Sequence, residues 1–305
     1  MALLVVAVVI LATRWGAVRA SQPAYLVTLV VVAVLGVVGS VWSTVSVGAE
    51  RAHRVRRAHR VRTIVVRVLG LVGAVALAAV LIWLRPLPAT PVAVASMHGT
   101  TEVTVVDSRS LIELRPRGPI TRTGLVFYPG ALVDPRAYVP LLTALASHGF
   151  TVDIVKPPYG IAFLATGAPA GIIASEPSVS RWVIGGHSLG GVVASSYAGA
   201  GHPGVRGLLL WASYPHRSIA GATSLDVTSV SAGNDGLATP ADIDAAKPDL
   251  PPHTVYVVVA GAVHSDFGDY GTQRGDGTPT ISHHRAQSEI EAASLALLER
   301  VDRAP

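Results

Sequence analysis

The chain opens with long apolar runs and then changes to short alternating segments. From Ala24 to Ala49 no residue is charged, and "AYLVTLVVVAVLGVVGSVWSTV" exceeds the roughly 20 residues a membrane-spanning helix needs. "VLGLVGAVALAAVLIWL", Val68 to Leu84, is a second uncharged run, extendable back through Thr63 if Arg67 snorkels. Trp42 and Trp83 stand near the ends of these runs, where interfacial aromatics are favoured. A buried helical hairpin is the alternative reading of the pair. The opening "MALLVVAVVILAT" is apolar but short before Arg14, and it lacks the basic start of a secretory signal. It is read as a first span over about 2–18, full or truncated. Spans are therefore expected at 24–47 and 63–84, with 2–18 open.

After residue 84 the pattern alternates between strand and helix periods. "TEVTVVD" and "SLIELRP" predict an antiparallel pair. "TGLVFYPG", "FTVDIVKPP", "RWVIGGHS", "VRGLLLWASYP", "LDVTSVSAG" and "HTVYVVVAGAVH" predict six further strands. Helical patterns lie between them in "DPRAYVPLLTALASHG", "AFLATGAPAGIIAS" and "LGGVVASSYAGAG", and a last one runs through "AQSEIEAASLALLERV". This alternation predicts an α/β fold, a mostly parallel sheet flanked by helices. About 200 residues suit one such domain with a single large core. Only "HRSIAGATS" separates the sixth and seventh strands, so a minimal lid and an open site are expected. The domain is expected over 98–305. Residues 85–97, "RPLPATPVAVASM", hold three Pro and read as an extended Pro/Ala linker reaching about 40 Å at most.

Charge separates the same two regions. Up to residue 84 there are nine Arg and one acid, Glu50, against 15 basic and 18 acidic residues beyond. The basic character therefore belongs to the N-terminal region, and nucleic-acid binding by the larger part gets no support. Six Arg lie in "RAHRVRRAHRVR", residues 51–62, between two apolar runs. Such a loop, at 50–62, is expected in the cytoplasm, in contact with membrane lipid, with everything after Leu84 on the extracytoplasmic side of a multi-pass cell-membrane protein. The chain has no Cys, which excludes disulfides, thiolate metal sites and a Cys nucleophile.

The candidate chemistry centres on "GGHSLGG". The residues after Gly191 are Val192 and Val193, so a P-loop fails, and G-x-G-x-x-G does not match. G-x-S-x-G does match, as Gly186, His187, Ser188, Leu189 and Gly190, between a predicted strand and a predicted helix. That context predicts a nucleophilic Ser188 on a sharp turn. A Ser hydroxyl needs a base, and in this arrangement the acid and then the His follow at later strand ends. His264 directly follows the most hydrophobic late strand and is the expected base. His283 and His284 begin a helix, where a cap or surface role is the better reading, His202 and His216 lie in loops, and His187 is expected to point away from the site.

The acid is expected in "SVSAGNDGLATP", at Asp235, although Asn-Asp-Gly is also turn chemistry in its own right. Asp266 and Asp269 are weaker candidates. An oxyanion hole needs two N–H donors. Leu189 is expected to give one. Pro129 has no N–H, so Gly130 or Ala131 must give the other, Ala131 being marginally preferred.

"LVFYPGALVDPRAYVPLLTALASHGF", "GGHSLGG", "GNDGLATP" and "GAVHSDFGDYGTQRGDGTPTIS" together resemble the compact α/β-hydrolase family related to dienelactone hydrolases, the fold-5 group, over roughly residues 98–301. The resemblance implies an α/β-hydrolase fold, no cofactor and no metal, and Ser188, Asp235 and His264 as its triad. A Ser stands where the dienelactone enzymes have Cys, so their substrate does not carry over. The tail "FGDYGTQRGDG" looks characteristic of the group and is expected as a structured loop near the His. The implied activity is cleavage of ester bonds in a small-molecule or lipid-like substrate, through an acyl-enzyme. An acyltransferase using the same triad and a non-catalytic binding scaffold are the alternatives.

Overall fold

The structure is a computed structural model and describes residues 2–49 and 57–304, with side chains over 2–38 and 64–304. Contacts divide the chain into two compact units, Met1–Arg19 with Pro23–Pro86, and Ala20–Gln22 with Leu87–Pro305.

The first unit is helical. Helix α1 spans Ala2–Ala20 with non-helical backbone at Arg14, α2 spans Ala24–Ala49, and α3 spans Arg57–Trp83. Side chains of α3 from Ile64 to Val80 are apolar apart from Arg67 and mostly exposed, although a helix apolar on every face is favoured in apolar surroundings and not in water. Gly36 of α2 lets the backbone of Leu4 approach, since a Cβ there would lie 3.2 Å from the Leu4 Cβ. Tyr25 anchors α2 to α3 by donating its hydroxyl to the Leu81 carbonyl at 2.6 Å. By length and composition, Ala2–Ala20 and Ile64–Trp83 are apolar enough to cross a membrane. The Arg-rich segment expected as a loop is helical from Arg57. Its residues 50–56, and the side chain of Trp42, lie outside the described residues.

The second unit is built on eight strands: β1 (Val103–Asp107), β2 (Leu111–Pro116), β3 (Thr123–Tyr128), β4 (Thr151–Val155), β5 (Arg181–His187), β6 (Val205–Trp211), β7 (Asp226–Ala232) and β8 (Val255–Val259). Their order in the sheet is β1-β2-β4-β3-β5-β6-β7-β8. The pairs β1–β2 and β2–β4 are antiparallel and all others parallel, so the mostly parallel sheet is observed with its antiparallel start. Six helices accompany it: α4 (Pro91–Ser96), α5 (Val139–Ser147), α6 (Ala168–Ser175), α7 (Leu189–Gly199), α8 (Pro240–Ala246) and α9 (His283–Arg303).

The period-2 geometry of strands splits the core in two. Along β3, Leu125 and Phe127 face the layer filled by α5 and α9, while Val126 and Tyr128 face that of α6 and α7. Central strands buried on both faces explain why their sequences read as continuous apolar runs. Residues 212–225, between β6 and β7, contain no helix or strand, in line with the minimal lid expected there.

Three local expectations are corrected. The helix predicted over 134–149 starts as a 3-10 turn, Pro135–Tyr138, because Asp134 caps it and Pro140 has no N–H to give to the Arg136 carbonyl in an α ladder. The helix predicted over 162–175 is likewise a 3-10 turn, Ala162–Ala165, and then α6. Residues 85–97 are not an extended linker. Thr90 caps the short helix α4, accepting from Ala93 N–H, and Leu87 forms a parallel bridge with Val133. The second unit therefore begins at Leu87 and not near His98.

Candidate active site

Ser188 joins β5 to α7 with φ 52° and ψ −124°, a conformation disfavoured for a residue with a Cβ. The turn closes because its neighbours are glycines. A Cβ on Gly190 would lie 2.2 Å from the Tyr128 carbonyl oxygen, and one on Gly186 would lie 2.4 Å from the Gly190 carbonyl carbon. Ser188 N–H donates to the Trp211 carbonyl (2.9 Å), and Ser213 Oγ donates to the Ser188 carbonyl (2.7 Å). Both fix the turn and leave the Ser188 side chain at the end of β5.

His264 and Asp235 stand at the ends of neighbouring parallel strands. Asp235 follows β7, and His264 follows β8 in a 3-10 turn, His264–Phe267. Their side chains meet, His264 Nδ1 to Asp235 Oδ2, at 2.9 Å, both fully buried. Asp235 Oδ1 accepts from the N–H of Leu237 and Ala238, each at 2.8 Å. The carboxylate is thus locked from behind, which also accounts for its turn-forming sequence. Ser188 and His264 line one open cavity of about 360 Å³, together with Ala131, Leu189, Leu237 and Gln273.

Leu189 and Ala131 border that cavity, and among the described residues neither N–H has a hydrogen-bond acceptor. Gly130 is different. Its N–H donates to Tyr138 Oη at 2.9 Å, so of the two residues expected to supply the second donor, Gly130 is already engaged.

Three features were missed by sequence reading. His187 does not simply point away. Its ring is buried 4.5 Å from the His264 ring, it stacks on Phe267, and its Nδ1 lies 2.9 Å from Tyr138 Oη. Burial first, and the neighbouring His264 second, hold His187 well below the ordinary histidine range, so it is neutral. A neutral ring can pack against His264 without opposing a positive charge there.

Asp276, from the tail "RGDG", is the second. It accepts from the backbone of His264 (3.0 Å), Ser265 (2.8 Å) and Gly277 (2.8 Å), and from Ser265 Oγ (2.9 Å). Burial would raise its carboxyl, but these hydrogen bonds outweigh it and hold the group below the usual range. The structured loop expected beside the His is therefore a clamp on the His264 backbone.

His283 is neither a cap nor a free surface residue. Its Nδ1 meets Asp266 at 2.8 Å and its Nε2 meets Asp269 at 3.1 Å. These two carboxylates raise it to about 9. Asp266 and Asp269 are committed to this ion pair and not to His264.

A family profile described as "Alpha/beta hydrolase family" matches residues 124–288. The chain belongs to the alpha/beta hydrolase family. Similar solved structures include an alpha-beta serine hydrolase homologue from Coxiella burnetii, 17% identical, covering 65% of this chain and 98% of that one, with a TM-score of 0.47. Carboxyl esterase 2 from the mycorrhizal fungus Tuber melanosporum is 14% identical, with 67% and 88% covered and a TM-score of 0.48. A serine hydrolase without lid from Xanthomonas campestris is 14% identical, with 68% and 98% covered and a TM-score of 0.48. No curated protein matches the chain.

Proposed function

We propose that the protein is a membrane-anchored serine hydrolase that cleaves ester-type bonds with Ser188, His264 and Asp235. One observation carries the reading. A strained Ser188 shares a cavity with His264, whose Nδ1 is tied to a buried, doubly braced Asp235.

In the proposed reaction Asp235 keeps the His264 proton on Nδ1, leaving Nε2 as the base. His264 Nε2 takes the Ser188 Oγ proton as Oγ attacks the ester carbonyl carbon. The carbonyl oxygen becomes an oxyanion, and the N–H groups of Leu189 and Ala131 receive it. Collapse expels the alkoxide, which takes the proton from His264, and leaves Ser188 acylated. Water, deprotonated by His264, then releases the acid and restores the serine. A small neutral ester, or one end of a lipid-like ester, suits an open cavity bordered by Leu189 and Leu237.

The anchor is part of the same proposal. Helices α1 and α3 supply apolar spans of sufficient length, and α2 a third apolar stretch, with the arginines of 51–62 in the cytoplasm and the hydrolase domain, from Leu87 onward, outside. Hydrolysis of a short p-nitrophenyl ester by the full-length protein, compared with Ser188→Ala, tests the chemistry. Loss of turnover with folding retained is expected. Undiminished turnover in Ser188→Ala removes the proposal.

A further inference from the structure

The loop that carries Ala131 is held in an unfavourable shape from outside the site. Leu132 has φ 61°, in the left-handed region that a Leu avoids. Its peptide is gripped at both ends. Leu132 N–H donates to the Gly160 carbonyl (2.9 Å), and its carbonyl accepts from Leu87 N–H (2.8 Å). Leu87 returns a second bond, its carbonyl accepting from Asp134 N–H at 2.9 Å. The same segment then reaches the loop that bears His264. Thr90 N–H donates to the Asp269 carbonyl at 2.8 Å, and Asp269 N–H donates to the Ala137 carbonyl at 2.7 Å.

Residues 87–90 thus tie together the loop after β3 and the loop after β8. These are the loops that hold Ala131 and His264. The segment also follows directly on the chain leaving α3. Its side chains are not part of the cavity wall around Ser188, so any effect on the chemistry is exerted through the loops it holds.

We infer that Leu87–Thr90 is a positioning strap for the oxyanion hole, with Leu87 holding the Leu132 peptide in the turn that turns the Ala131 N–H toward Ser188. The inference rests on the hydrolase reading above. It makes the segment beside the membrane anchor a working part of the site rather than a spacer. It also makes a domain cut at His98 a folded but poorly active hydrolase.

Full-length protein in detergent micelles tests this, with Leu87→Pro, which deletes the N–H that Leu132 uses, and Leu87→Ala, which keeps it. Rates are measured on an ester and on its thionoester, whose carbonyl sulfur is a poor hydrogen-bond acceptor and gains little from an oxyanion hole. Leu87→Pro is expected to lower kcat on the ester roughly 10- to 100-fold with KM little changed, the scale of a small misplacement in a site. The ester-to-thionoester ratio falls with it, which loss of stability alone would not produce. Leu87→Ala stays near wild type. Adding Leu132→Gly to Leu87→Pro recovers part of the rate, because glycine adopts the left-handed φ without a strap.

If Leu87→Pro does not fold, the α-hydroxy analogue of leucine incorporated at position 87, an ester that removes the same N–H and nothing else, gives the comparison at smaller amplitude. An unchanged ratio in whichever folded variant is used overturns the strap. A wild-type protein inert to both esters overturns the hydrolase reading and the strap with it.

Discussion

Gly130 gives its N–H to Tyr138 Oη at 2.9 Å, and the same oxygen lies 2.9 Å from His187 Nδ1. One buried hydroxyl therefore joins the loop after β3 to the residue that precedes Ser188. In the proposed reaction it leaves Ala131, not Gly130, with the N–H for the developing negative charge. Tyr138→Phe strips two buried groups of their partner. A stability loss of roughly 1–3 kcal/mol is expected, together with a lower kcat and a nearly unchanged KM. Urea denaturation beside steady-state kinetics checks both parts, and a stable variant with wild-type kcat would show that the hydroxyl merely fills space.

His283 sets a pH dependence on the alkaline side. Its ordinary value is 6.5, and Asp266 and Asp269 raise it to about 9 in the folded protein. The folded state thus binds this proton more tightly than the unfolded chain. The resulting stability is fully present below about pH 6.5 and is lost as pH rises through about 9. His283→Phe should remove that fall in Tm between pH 6.5 and 9 and lower Tm at pH 6. A parallel fall in variant and wild type would place the effect elsewhere.

Asp153 acts at the opposite end of the scale. Burial raises its carboxyl to about 6, against the pull of Arg115, whose Nη2 lies 2.8 Å away but is shared with Glu113 and Glu176. The folded state again binds the proton more readily than the unfolded chain, so this group destabilises the protein as pH rises from about 4 to about 6. Asp153→Asn should abolish that decline and leave the protein at pH 7 at least as stable as wild type. A lower Tm of the variant at pH 7 would mean that the Arg115 pairing outweighs the burial.

The fold was legible because its strands are short, apolar and separated by helical periods, and all eight lie where their patterns place them. The sharp turn at Ser188 was legible from a motif in a strand–turn–helix context, and the meeting of Asp235 with His264 from their places at later strand ends. The rest was not, for physical reasons. Residues 87–90 carry three of their ties through backbone groups, which leave no trace in side-chain type. The three prolines of 85–97 suggested an extended linker, yet Thr90 and Pro91 are also a helix start. His283 opens α9 as its pattern suggests, but its partners come from the loop after β8, and no local spacing shows such a contact. Asp276 was visible only as part of a glycine-rich tail. Its role appears once the tail folds back on His264.

Intact-protein mass spectrometry of the full-length chain after treatment with a fluorophosphonate tests most directly whether Ser188 is an activated nucleophile. One adduct per chain is expected, located on Ser188 and absent from folded Ser188→Ala. A folded wild-type protein that takes up no reagent, or a Ser188→Ala protein that is labelled as fast as wild type, would contradict it.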